Sequence, residues 1–178
     1  GELPATRTLL LLAGFIALMG IDGLNSYLSF FPGAPQLYQP ANILRLTTGL
    51  LNGFAISVIV YPVFNFTLWQ QTERRRSIDK VRELVFFLPA LAIIVLAVES
   101  GYDFLLYPLA LLSAGGVLIL LTMVNAMIVM ILTRQESMAS NWRQAGIPIL
   151  WGMAVSFLEL GAMIAFRAFM TARWGLPF

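Results

Sequence analysis

The stretch IPILWGMAVSFLELGAMIAFRAFM, residues 147–170, decides the fold class. It is long enough to cross the hydrocarbon core of a bilayer, which takes about 20 mostly apolar residues in a helix. Two ionisable residues, Glu159 and Arg167, interrupt the run. Glu159 stands at its centre, where a charge costs free energy and usually has a partner or a purpose. We therefore expect a transmembrane helix with a carboxyl group near the bilayer midplane.

The composition of the whole chain supports the same class. Of its 178 residues, 59% are hydrophobic and 11% are charged, and the mean hydropathy is +0.82. A soluble globular domain of this composition would have too little polar surface. Trp69, Tyr107, Trp142 and Trp174 flank apolar runs, where aromatic rings anchor a protein at the headgroup boundary. The composition thus predicts an integral membrane protein.

Apolar runs of spanning length recur along the chain. We predict an all-α, polytopic transmembrane helix bundle of about five spanning helices, forming a single domain over residues 1–178. The third run is bounded by Glu83 and Glu99, so it is short and could be partly re-entrant. Pro32 breaks the chain after the first span, and Pro148 is expected at the start of the fifth, where a missing N–H is tolerated. The predicted spans are about 9–31, 43–69, 84–98, 105–132 and 147–170.

Basic residues fall mainly on alternate connections between these spans. The positive-inside rule places such connections in the cytoplasm. We predict a multi-pass protein of the cell membrane with Gly1 cytoplasmic and Phe178 on the outer side. The cluster at residues 74–82 is interpreted as a topology signal, and docking of an anionic lipid or a protein is its alternative. The residues on the predicted inner side are Arg7, Arg74, Arg75, Arg76, Lys80, Arg82, Arg134 and Arg143.

Polar residues of several spans would share the outer half of the membrane in this orientation. We expect Asp22 and Arg45 to pair across the first hairpin, because an unpaired charge in hydrocarbon is costly. Such a cluster admits two interpretations, a structural clasp between spans one and two or a ligand-binding site. The candidate residues are Asp22, Asn25, Asn42, Arg45, Thr48, Asn52, Glu159 and Arg167.

Glu159 has two interpretations of its own. Arg167 is eight residues further on, about 12 Å along a helix, which is too far for direct contact. The carboxylic acid either hydrogen-bonds a neighbouring helix or takes part in a proton relay or in ligand binding. Asn125 is one of the amides available for interhelical hydrogen bonds. Small residues at Gly49–Gly53 and Gly115–Gly116 predict close approach of helix backbones.

No catalytic or metal-binding signature is present in the sequence. The chain has no Cys and no His, so it has neither a disulfide nor the usual ligands of zinc and haem. It also has no nucleophile–base arrangement and no phosphate-binding loop. We therefore predict no catalytic residues, no metal and no cofactor. Nucleic acid is not expected either, since the formal net charge is only +2.

A family resemblance is carried by two short elements. Asp22-Gly23, followed by Asn42-x-x-Arg45-x-x-Thr48-Gly49-x-x-x-Gly53, resembles a widespread prokaryotic family of predicted multi-span membrane proteins without an assigned function. The resemblance covers about residues 13–54 and implies that Asp22, Asn42, Arg45 and Thr48 are the family's polar signature. That family also carries an upstream helix with Cys-x-x-Cys-x-Gly. We expect this helix to be lost or to lie before Gly1.

Two functions remain open from the sequence. The first is a non-enzymatic accessory or structural subunit that packs against membrane lipids and other membrane protein subunits. The alternative is a small-molecule, lipid or ion-handling protein with an outer-side polar pocket around Asp22 and Arg45. An enzyme is the less favoured class, because no catalytic constellation supports it.

Overall fold

A computed structural model describes residues 4–31, 33–71 and 85–174. These residues form helices and their connections, with no strand within these ranges, so the predicted all-α class is confirmed. The prediction of Gly1 and Phe178 on opposite sides, the break at Pro32, the basic cluster at 74–82 and the start of the predicted third span fall outside the described residues. The helices are α1 (Thr6–Leu28), α2 (Asn42–Leu68), α3 (Leu88–Glu99), α4 (Asp103–Thr133) and α5 (Trp142–Trp174).

Four of the five helices are long and apolar enough to cross a membrane: α1, α2, α4 and α5. The shortest of them, α1, has 23 residues and measures about 35 Å, against a hydrocarbon core of about 30 Å. Helix α3 has 12 residues, which gives about 18 Å. Large apolar side chains are exposed on the long helices, such as Leu158 at 73%. This surface is suited to contact with acyl chains.

Helix α5 begins earlier than the predicted span because the polar segment before it is a capping motif. The Asn141 side-chain oxygen accepts a hydrogen bond of 3.0 Å from the Gln144 N–H. The Gln144 side chain reaches back and accepts one of 2.8 Å from the Ser140 N–H. This reciprocal arrangement satisfies donors at the start of the helix. Pro148 consequently lies inside α5 and not in its first turn, which corrects the prediction.

The chain divides into two compact units. The first comprises Gly1–Val63 and Glu73–Ser113, and the second comprises Phe64–Thr72 and Ala114–Phe178. In the first unit, α1 packs on α2 through a small apolar core. Phe54 of α2 also contacts Phe87, just before α3, with ring centroids 4.6 Å apart. The core residues of the first unit are Leu12, Ala55 and Val58.

The second unit is held by a close contact between α4 and α5. A Cβ atom at Gly152 would lie 2.5 Å from the Thr122 carbonyl oxygen and 2.6 Å from the Ala126 nitrogen, so only glycine fits there. The predicted close approach at Gly49–Gly53 and at Gly115–Gly116 is wrong for the described residues, none of which lies within 4 Å of a Cβ built there. A small residue permits close packing, but the position of a second helix decides whether it occurs.

The connection between α4 and α5 caps the end of α2 within the second unit. The Ser137 N–H donates to the Thr67 carbonyl at 2.7 Å, and the Ala139 N–H donates to the Leu68 carbonyl at 3.1 Å. Carbonyls of a last helical turn have no partner within their own helix, so these bonds replace water at the helix end. Trp69 and Trp142 meet beside them, edge to face at 5.0 Å.

Candidate functional site: a buried polar network in the first unit

Asp22 is the centre of a polar network that joins α1, the following connection and α2. Only 2% of its surface is exposed. The hydroxyl of Tyr38 donates a hydrogen bond of 2.5 Å to its Oδ1, and the hydroxyl of Thr48 lies 3.3 Å from its Oδ2. A buried carboxylate needs such donors, since its desolvation is otherwise uncompensated. We call the set Asp22, Asn25, Ser26, Tyr38, Arg45 and Thr48 the Asp22 network.

The hydrogen bonds that Tyr38 and Thr48 donate to Asp22 differ in strength. The Thr48 hydroxyl has one proton, and the carbonyl of Leu44 one turn earlier is its nearest acceptor at 2.9 Å. Its contact with Asp22 therefore competes with a bond inside α2. The Tyr38 hydroxyl has no second acceptor among the described residues, and its bond to Asp22 is shorter than that of Thr48. We infer that Tyr38 is the main partner of the carboxylate.

The Asn25 side chain also holds this connection, through hydrogen bonds to the backbone of the connection. Its Nδ2 donates to the Tyr38 carbonyl at 2.9 Å, and its Oδ1 accepts from the Leu37 N–H at 2.8 Å. The side chain is 2% exposed and lies three residues after Asp22, on the same face of α1. Both ends of the amide are thus used to hold one short segment.

Arg45 does not form the predicted ion pair with Asp22, and that expectation was wrong within the described residues. Its Nε instead donates to the Ser26 hydroxyl at 3.3 Å. The physical reason is that the Tyr38 hydroxyl already hydrogen-bonds the carboxylate, with the Thr48 hydroxyl close to its other oxygen, so the buried group has donors without a cation. The Arg45 side chain is exposed, as a long basic side chain near a helix end often is when its charge reaches toward the membrane surface.

The structure brings together four of the eight candidate residues: Asp22, Asn25, Arg45 and Thr48. Asn42 is exposed and Asn52 is half-buried, and neither joins the network in the described part of the chain. The other two belong to the second unit. There Glu159 accepts a hydrogen bond of 2.8 Å from Asn125, and Arg167 lies on an exposed face of α5.

Two members of the network are absent from the sequence-based cluster. Ser26 is four residues after Asp22, so a search of the same helix face would have found it. Tyr38 gives no such signal, because it lies outside any helix, in a proline-containing connection without periodicity. Its role depends on how that connection folds back on α1.

The pKa of Tyr38 is raised above its ordinary value of 10.0. The main cause is the hydrogen bond that its hydroxyl donates to Asp22, followed by burial and by the charge of the carboxylate. All three favour the neutral phenol over the phenolate. Tyr38 is therefore a hydrogen-bond donor throughout the physiological range.

The described residues hold no group of three or more His, Cys, Asp or Glu side chains that could bind a metal ion. The acidic residue of the network, Asp22, is surrounded by hydroxyl and amide groups. Hydroxyl donors stabilise a carboxylate by hydrogen bonding and leave its charge in place. The arrangement is suited to holding helices together.

Four apolar helices of spanning length, two of which are joined by a buried polar network, define a polytopic helical membrane protein. The first third of the chain, residues 2–59, matches a family described as "Predicted membrane protein (DUF2085)". This match confirms the resemblance to a family of predicted membrane proteins, and it includes both Asp22-Gly23 and the element from Asn42 to Gly53. No curated protein and no solved structure matches the chain.

Proposed function

We propose that this chain is a non-enzymatic, multi-pass subunit of a larger assembly in the cell membrane. The closure of the Asp22 network on itself carries the proposal. Asp22 accepts a hydrogen bond from the Tyr38 hydroxyl and both ends of the Asn25 amide are bonded within the protein, and each residue is 2% exposed. A ligand would have to displace these bonds before it could use either group. The network is better suited to fixing the fold than to binding a substrate.

The exposure and the short length of helix α3 support the proposal of a protein partner. None of its residues is buried, and Ile93 and Leu96 are 66% and 69% exposed. A helix of about 18 Å is shorter than the hydrocarbon core, so in lipid alone the bilayer must thin or the helix ends must extend. A neighbouring membrane subunit packed along α3 would remove this mismatch.

The proposed orientation has Gly1 on the cytoplasmic side and Phe178 on the outer side. It is supported by the basic residues at 74–82, which would lie inside when α2 runs from the outer to the inner surface. The Asp22 network then lies toward the outer surface, and the capped end of α2 at Leu68 lies toward the inner one. Lipid would surround the exposed faces that no subunit covers.

Native mass measurement after extraction in lipid discs tests the subunit proposal. The full chain, tagged at a level close to its natural expression, is extracted without detergent and weighed intact. We expect a defined complex containing a second membrane protein in a fixed ratio. A monomer or a homo-oligomer under the same conditions would contradict the proposal. An unrelated four-span protein extracted in parallel shows the level of non-specific co-extraction.

Arg45 favours a second candidate function, recognition of an anionic lipid headgroup. Its guanidinium uses only Nε for a contact at 3.3 Å, and no described acidic residue lies within ion-pairing distance. The remaining N–H groups match the oxygens of a phosphate. The exposed position of Arg45 at the start of α2 would be accessible to headgroups of the outer leaflet.

Retained lipid distinguishes these two functions. We compare the chain with Arg45→Gln, using Arg45→Lys to keep the charge, in discs containing phosphatidylglycerol or phosphatidylcholine. The subunit proposal predicts similar lipid retention in all three proteins and a small loss of thermal stability in Arg45→Gln. Selective loss of phosphatidylglycerol from a folded Arg45→Gln protein would favour the second candidate. Competition by inorganic phosphate would separate a phosphate site from a site that needs the whole lipid.

A further inference from the structure

Glu159 occupies an unusual position for a carboxyl group. It lies 17 residues after the first residue of α5 and 15 before the last, so it is near the middle of a spanning helix. Its side chain is exposed, between exposed apolar neighbours such as Leu158 and Met163. A charged carboxylate at this depth costs free energy, and functional proton sites in membrane proteins are often found in such places.

A buried amide on α4 faces this carboxyl group. Asn125 is 4% exposed. Its Nδ2 donates one hydrogen bond to Glu159 Oε2 at 2.8 Å and another to the Ser156 hydroxyl at 3.0 Å. The Ser156 hydroxyl donates its own proton to the Gly152 carbonyl at 2.9 Å. Both amide protons are therefore used, while no described residue donates to Asn125 Oδ1.

The amide can bond either protonation state of the carboxyl group. With Nδ2 toward Glu159, it donates to the carboxylate, as observed. After rotation of the amide by a half-turn, Oδ1 would accept a hydrogen bond from the protonated acid. A neighbour that can bond both states keeps the carboxyl group hydrogen-bonded when a proton arrives or leaves.

No charged group of the second unit faces Glu159 from another described helix. The segments 64–71 and 114–133 contain no Asp, Glu, Lys or Arg. On α5 itself, Arg167 is about 12 Å further along the helix and Arg143 is about 24 Å before it. A proton is therefore the simplest cation to neutralise this carboxyl group.

We propose that Glu159, with Asn125 as its hydrogen-bonding partner, is an intramembrane proton-binding site. The step is reversible: a hydronium ion gives its proton to a Glu159 carboxylate oxygen, an O–H bond forms, and water is released. The site is independent of the Asp22 network and of the subunit proposal, since it involves residues of α4 and α5 only.

Labelling with dicyclohexylcarbodiimide tests the proposal directly. This apolar reagent adds to protonated carboxyl groups within hydrocarbon and leaves a stable acylurea that mass spectrometry locates. With the full chain in phosphatidylcholine discs, we expect Glu159 to be labelled fastest in mildly acidic buffer and more slowly as the pH rises. Glu136, in the exposed connection before α5, serves as an internal control for reagent that reacts from water.

Two variants separate proton binding from a purely structural role. Glu159→Gln should remove the label while the protein stays folded. Asn125→Leu should shift the pH at which labelling is half-maximal, because the carboxylate loses its donor, and a structural amide alone would not move this value. An unchanged pH profile in a folded Asn125→Leu protein would contradict the role given to the amide.

Other outcomes would overturn the proposal. Labelling that does not depend on pH would mean a permanently neutral acid that exchanges no proton. The absence of labelling at every pH would mean a permanently ionised carboxylate. Protection of Glu159 from labelling by sodium ions at constant pH would assign the site to a metal cation. Protection that is present in native membranes and lost on purification would mean that a cationic residue of a partner pairs with Glu159.

Discussion

The Tyr38 hydroxyl donates a hydrogen bond of 2.5 Å to Asp22 Oδ1, which ties the connection after α1 to a buried carboxylate on that helix. The same tyrosine accepts a bond at its backbone carbonyl from Asn25. One residue of a proline-containing connection is thus held at two points. The contacts explain why a charged residue is tolerated at 2% exposure beside apolar helices.

The first prediction concerns the ionisation of Tyr38. Its pKa is raised mainly because its hydroxyl donates a hydrogen bond to Asp22, so the folded state holds this proton more tightly than the unfolded chain does. The stabilising contribution is complete below pH 10.0 and is lost as the pH rises from there through the higher folded-state value. The difference in tyrosinate absorbance between the chain and Tyr38→Phe should appear only above that pH. Ionisation of Tyr38 at or below it would contradict the short bond.

Asn25→Ala tests the second fastening of the connection. The substitution removes two side-chain to backbone hydrogen bonds and should lower the free energy of unfolding by about 2 kcal/mol, at about 1 kcal/mol for each bond. Asn52→Ala is the matched control, because Asn52 makes no contact with the network, and it should change stability by less than about 0.5 kcal/mol. Equal losses in the two variants would argue against a special role of Asn25.

Gly152→Ala should weaken the packing of α4 against α5 and lower the stability of the protein. The added Cβ would lie 2.5 Å from a backbone carbonyl oxygen, which cannot move without the helix, so we expect a loss of about 1–3 kcal/mol from overpacking. Gly161→Ala on the same helix has no neighbour within 4 Å. It should leave stability unchanged or raise it by up to about 1 kcal/mol through helix propensity. Thermal unfolding in the same lipid discs compares the two.

The fold class and the four long helices follow from the sequence because hydrophobic length is a local property. The start of α5 could also have been read, since Asn141 and Gln144 have the spacing of a capping motif. The sequence could not show which helices pack closely against each other. Gly49, Gly53 and Gly152 have the same side chain, yet only Gly152 meets another helix.

Part of the polar site was predictable, because the depth of a residue within a span is also a local property of the sequence. Asp22 and Thr48 could be assigned to one site from their depth in neighbouring spans, and the structure joins them. The choice of partner was wrong, because charge alone favours Arg45 over Tyr38. Whether a guanidinium or a phenol reaches the carboxylate depends on the fold of the intervening connection, which has no periodic pattern.

Topology mapping tests the crossing of α3. The positive-inside rule does not distinguish a crossing α3 from a re-entrant one. A re-entrant α3 would place Arg134 and Arg143 outside and Arg167 and Arg173 inside, so the number of basic residues on the inner side would stay the same. The chain lacks cysteine, so a single cysteine can be introduced as Ser100→Cys or Gln70→Cys. We predict that an impermeant maleimide labels Ser100→Cys from outside intact cells and Gln70→Cys only after lysis. Inner labelling of both would mean that α3 returns to its starting side.

A double-mutant cycle between Asp22 and Tyr38 tests the central claim that the network holds the fold. Unfolding of Asp22→Ala, Tyr38→Phe and the double variant is measured in lipid discs, with Tyr27→Phe in place of Tyr38→Phe as the control pair. We predict that Tyr38→Phe destabilises the chain but adds no further loss to Asp22→Ala, whereas Tyr27→Phe acts additively. Additive losses for Asp22 and Tyr38, or no loss from either change alone, would contradict a stabilising bond between them.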